Sequence, residues 1–139
     1  MPNKEAHLQQ AIHNEEAANI LLREVVFNDW AITALFYAAV HYVEAKVFEK
    51  KFEGYEHSPK IPTDSTPHNK RIILIQKHLP EIYGDYNALF EQCRIVRYDC
   101  AFTLGKKGKN KPTEYIAKEK VDKLLAKLEK IKNTLGYSN

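Results

Sequence analysis

Apolar residues recur at helical spacing along most of the chain, with polar residues between them, and that period predicts helices rather than strands. From Lys4 to Phe27 the repeating set is Leu8, Ala11, Ile12, Ala18, Leu22, Val25 and Val26, with Glu15 and Glu16 on the other side. Asn28 or Asp29 then offers an N-cap for a second helix, "WAITALFYAAVHYVEAKVFEKK". Small and aromatic residues cover nearly its whole circumference, the pattern of a central helix or of one that also meets a second subunit. The prolines and glycine of "EGYEHSPKIPTDSTP" break the period and predict a loop. Thr66 caps a short third helix with Pro67 at its first position, where a missing N–H costs nothing. Its buried side is expected to be Ile72, Ile73, Ile75 and Leu79, up to Pro80. A fourth helix is expected from about Asp85 to Gly105, carrying Tyr86, Leu89, Phe90, Cys93, Val96, Cys100 and Thr103. After the basic turn "GKKGKNKPT", Thr113 caps a fifth, with Ala117, Val121, Leu124, Leu128, Ile131 and Leu135 on one stripe and Gly136 closing it. The expected fold is all-α, an up-and-down helical bundle of four long helices plus one short helix, in a single domain over residues 1–139.

Composition narrows this picture. A chain of 139 residues, 44% hydrophobic, is long enough for one core and leaves little room for a second. The polar start "MPNKEAHLQQ" and the lack of a long uninterrupted apolar run point to a soluble, cytoplasmic protein with no membrane association. Cys93 and Cys100 are seven residues apart, about 10 Å along a helix, which is too far for a disulfide. Two cysteines without a Cys-x-x-Cys pair make no zinc finger, and no metal or cofactor is expected. A carboxylate-bridged di-iron bundle is excluded by the lack of Glu-x-x-His pairs; the chain has only reversed spacings such as His41-x-x-Glu44.

The charge is lopsided. Residues 106–139 hold ten lysines against four acidic residues, whereas the rest of the chain is net acidic. A lysine-rich helix face in solvent explains this, and so does an element facing nucleic acid. The turn "GKKG" copies the Gly-x-x-Gly loop of KH domains without the sheet those require, and no P-loop spacing occurs. Lys106, Lys107, Lys109 and Lys111 can still touch phosphates without sequence preference. On the fourth helix, Arg94, Arg97 and Tyr98 fall along one side. Two readings stand: the arginines pair with glutamates of the first or second helix, or they form an anion-binding patch, for which forked planar donors suit phosphate.

The segments "DWAITALFYAAVHYVEAKVF", "TPHNKRIILIQKHLP" and "CRIVRYDCAF", in that order, resemble the HEPN superfamily over nearly the whole chain. The likeness is most specific at Phe36, Tyr37, Ala38 and His41 and at Arg97, Tyr98 and Asp99. It implies a dimerising helical bundle, with many members acting as RNases or as partners of small nucleotidyltransferases in toxin–antitoxin and defence systems. The family's Arg-x4–6-His motif is missing here: no histidine follows Arg94 or Arg97 at that spacing. Arg71 and His78 match it literally, but in the preceding helix.

Three functions follow as expectations. The first is a HEPN-like homodimeric module that binds RNA or a nucleotide through Arg94, Arg97, Tyr98 and the lysine turn, pairing through the 30–48 and 85–104 helices, beside an enzyme partner such as a nucleotidyltransferase. The second is a divergent, metal-independent endoribonuclease in which Arg97 and Arg94 act with His41 or Asp99; Arg97 would stabilise charge, His41 move protons, and Asp99 or Glu44 orient it. The third is a protein-interaction domain whose arginines are all paired internally.

Overall fold

The computed structural model describes residues 2–24, 27–98 and 118–138, with only the backbone of Tyr98. Among them are five α-helices and no strand: α1 (Lys4–Arg23), α2 (Asn28–Lys50), α3 (Pro67–His78), α4 (Pro80–Tyr98) and α5 (Lys118–Leu135). The all-α bundle expected from the hydrophobic period is the fold. Asn3 caps α1 by accepting from the Ala6 N–H, and Thr66 caps α3 by accepting from the Asn69 N–H. At the far end of the chain Gly136 takes φ +83°, and the Tyr137 N–H bonds the Lys132 carbonyl at 2.8 Å, closing α5.

The core is built around α2, which packs along α1 and against α4 and α5. Ile32, Leu35, Phe36, Val43 and Val47 of α2 are at most 1% exposed, as are Tyr86 and Leu89 of α4 and Leu128 and Ile131 of α5. Ala11 and Ala18 are fully buried, so α1 presents its smallest side chains to α2. By length and composition α2 could cross a membrane, but 72% of its apolar window is buried in the bundle. Its apolar circumference is thus largely covered by helices of the same chain. What stays open is its N-terminal end, where Phe27 is 45% and Trp30 57% exposed.

Several local expectations need correction. Phe27, not Asn28 or Asp29, occupies the cap position of α2; Asn28 lies inside the first turn and is buried. α4 begins at Pro80 rather than Asp85, because proline is tolerated at a helix start and Ile82 continues the buried stripe one turn earlier. The buried face of α3 is Arg71, Leu74 and Ile75, while Ile73 is 42% exposed. Glu15 does not face away: it accepts from the Tyr42 hydroxyl and from Lys132 Nζ at 3.0 Å, tying α1 to α2 and α5. The loop after α2 is structured by two 3-10 turns, Phe52–Gly54 and Ser58–Lys60, and buries His57 and Ser58.

Candidate functional site

Two adjoining arrangements of polar side chains meet where α2, α3 and α4 converge. The inner one is centred on Glu44, 3% exposed on α2. Its carboxylate accepts from the Ser58 N–H at 3.1 Å, from the Ser58 hydroxyl, and from Arg71 Nε at 2.8 Å. Arg71 is itself only 5% exposed, so this is a buried ion pair whose lone pairs and protons are satisfied by further bonds. The Tyr86 hydroxyl lies beside the same guanidinium but falls short of hydrogen-bond geometry. On the other edge of the guanidinium, Arg71 Nη1 donates to His68 Nδ1 at 3.3 Å.

That last contact fixes chemistry. A guanidinium has only donors, so His68 Nδ1 must be the unprotonated nitrogen and the ring's hydrogen sits on Nε2. Burial, with Arg71 and then Arg97 nearby, holds His68 below the usual histidine range and keeps the ring neutral. Among the described residues His68 Nε2 has no hydrogen-bond partner.

The outer arrangement is a cleft of about 300 Å³ lined by Phe36, Tyr37, His68, Phe90, Cys93, Arg94 and Arg97. Phe36 and Phe90 pack tilted against His68 and against each other, with ring centroids 5.6–5.7 Å apart. Arg97 Nη1 donates to the Tyr37 hydroxyl at 2.7 Å, which leaves that hydroxyl's own hydrogen available to donate. Arg94 is held to Glu91 on its own helix at 2.9 Å, with its side chain 52% exposed. The cleft therefore offers N–H and O–H donors around aromatic walls, and no carboxylate lines it among the described residues. Burial raises the Cys93 thiol's pKa, so it contributes no thiolate. A smaller hollow of about 180 Å³ adjoins the far side of Arg97, between Asp29, Trp30, Thr33 and Val96.

Of the expected site residues, Arg94 and Arg97 share this cleft. His41 lies elsewhere: its Nδ1 is 3.0 Å from His7 Nδ1, against α1, and His57 completes a cluster with its ring centroid 5.1 Å from that of His7. His57 Nε2 in turn donates to the Pro2 carbonyl at 2.8 Å. The imidazole beside Arg97 is His68 instead. Arg71 and His78 do not form a pair; His78 stacks on Phe52 and bonds Glu53 at 2.9 Å. Asp99, Lys106, Lys107, Lys109, Lys111 and the Tyr98 side chain lie outside the described residues. No group of metal-ligating side chains occurs among the described residues. Sequence reading passed over His68 and the Glu44–Arg71 pair, although "HNKR" places His68 and Arg71 one helical turn apart.

Comparison with known proteins adds no relative: no family model matches the chain, and neither does any curated protein or solved structure.

Proposed function

We propose that the chain is a HEPN-like domain that binds RNA or a nucleotide at the Arg97 cleft. The observation that carries this reading is the cleft's make-up: two guanidinium groups at the mouth of an aromatic-walled hollow whose described lining residues supply donors and no carboxylate. Aromatic walls accept a nucleobase by stacking, and the guanidinium groups suit a phosphate. Arginines closed into internal ion pairs would have favoured a purely structural protein. Arg71 is closed into a buried ion pair, whereas Arg94 keeps a half-exposed side chain in its pair with Glu91, and Arg97 is exposed.

Cleavage of RNA is the second reading, favoured by the single fact that His68 stands in the same cleft as Arg97. Its tautomer counts against that role. With Nδ1 taken by Arg71 and Nε2 protonated, the ring has no free lone pair with which to act as a base on a 2′-hydroxyl. The homodimer rests on the resemblance and on Phe27 and Trp30, exposed at the N-terminal end of α2, where Trp30 lines the hollow beside Arg97.

Affinity for single-stranded RNA measured across salt concentration tests the proposal. Two phosphate contacts predict a slope of log affinity against log salt near −1.4, and Arg97→Ala should reduce its magnitude by roughly half with no loss of helicity. The RNA should remain intact throughout. Binding that is absent, or indifferent to both salt and Arg97→Ala, removes the proposal; cleavage lost in His68→Gln favours the second reading.

A further inference from the structure

His68 is joined to the protein interior by one continuous set of contacts. Ser58 donates to Glu44 through both its N–H and its hydroxyl, Glu44 accepts from Arg71 Nε, and Arg71 Nη1 donates to His68 Nδ1. Each member has one role dictated by its chemistry. Glu44 accepts, the guanidinium donates from two of its nitrogens, and Nδ1 can only accept. Turning the imidazole over would set its Cδ2–H against the guanidinium N–H, and moving its hydrogen to Nδ1 would set N–H against N–H; either forfeits the bond, a cost of the size of a lost buried hydrogen bond.

We infer that Glu44 and Arg71 are positioning residues for the Arg97 cleft: they lock His68 as a neutral Nε2–H donor, committing the cleft to a ligand atom that accepts hydrogen bonds. The inference rests on the cleft being the binding site. Among the described residues, the groups facing His68 are consistent with it. Arg71 lies below on α3, Tyr37 on α2 offers its hydroxyl hydrogen, and Arg94 and Arg97 on α4 carry positive charge; Phe36 and Phe90 are apolar. Glu44 is the carboxylate tied into this network, and Arg71 and Ser58 already engage it. A second proton on the ring would add an imidazolium beside guanidinium groups, with no new carboxylate among the described residues to offset it. The ligand chemistry that matches is an oxyanion, such as the phosphate of a nucleotide, whose oxygens take hydrogen bonds from Arg97, the Tyr37 hydroxyl and His68 Nε2 together.

Nitrogen-15 NMR of the ring in the free, full-length chain reads the lock directly. His68 should show an unprotonated Nδ1 and a protonated Nε2, and should keep that signature as pH falls through the ordinary histidine value of about 6.5. In Arg71→Met the two tautomers should mix and protonation should move up towards that value; Arg71→Lys, which keeps a cationic donor, should retain more of the lock. Should Arg71→Met not fold, the wild-type titration decides alone. An Nδ1–H tautomer in the wild type, or protonation at or above 6.5, overturns the inference. A locked signature in a chain that binds no RNA would instead sink the binding proposal and leave the lock established.

Discussion

Glu44 shows what one residue does for this fold. It receives its hydrogen bonds from a loop residue, Ser58, and from α3, through Arg71, so a single buried carboxylate joins α2 to both. Removing it leaves the Arg71 guanidinium buried without a counter-charge, a defect that costs about 3–5 kcal/mol. Glu44→Ala should accordingly lower the urea midpoint steeply, while Glu44→Gln, which keeps an acceptor, should lose less; equal losses would show that charge plays no part. Sequence reading set Glu44 beside His41, one turn away on the same helix, and left the glutamates of the first and second helices as partners for the arginines of the fourth. Neither His41 nor an arginine of the fourth helix is its partner. Which arginine reaches it depends on how α3 lies across α2, and the local pattern carries no signal for that. The same holds for His41, whose partner His7 is 34 positions away on another helix.

Elements were far more legible than partners. The apolar spacing located all five helices, because one buried stripe per helix is what a bundle requires. Boundaries followed less well. Pro80 reads as a stop, yet it serves as a start, and the short link at Leu79 lets α3 and α4 follow one another almost directly. The end of α2 offered no glycine to mark it; Lys51 takes the left-handed conformation there, φ 52°, its N–H bonding the Val47 carbonyl at 2.7 Å. A side chain in that conformation is strained by about 1 kcal/mol relative to glycine. The loss of the Lys51 ammonium's contacts with the Phe48 carbonyl and ring offsets part of any gain. Lys51→Gly is expected to raise the thermal midpoint by a few degrees, in line with a stabilisation of roughly 0.5–1 kcal/mol. An unchanged or lowered midpoint would mean that those contacts outweigh the strain.

Across the whole molecule, histidines couple stability to pH. Burial, followed by the adjacent His41, lowers the His7 pKa to about 4, and burial with Arg71 lowers that of His41. His7 is faced by His41 and Glu44 of α2, by His57 of the loop and by Arg71 of α3. Above the ordinary value near 6.5 these rings are neutral both folded and unfolded, and stability does not depend on them. Between 6.5 and about 4 the unfolded chain binds protons that folded His7 refuses, so stability falls as pH falls, by up to about 1.4 kcal/mol per pH unit for this group. Thermal midpoints recorded from pH 7 downward should show the decline, and His7→Gln should flatten it. A profile that stays level to pH 4.5 would remove the claim.

The open end of α2 has a practical side as well. Trp30 is the chain's single tryptophan, it is 57% exposed, and it shares a hollow with Arg97. The indole is thus a built-in optical gauge set across Arg97 from the cleft, so a ligand that engages this arginine can be followed by native emission, without a dye attached to protein or RNA.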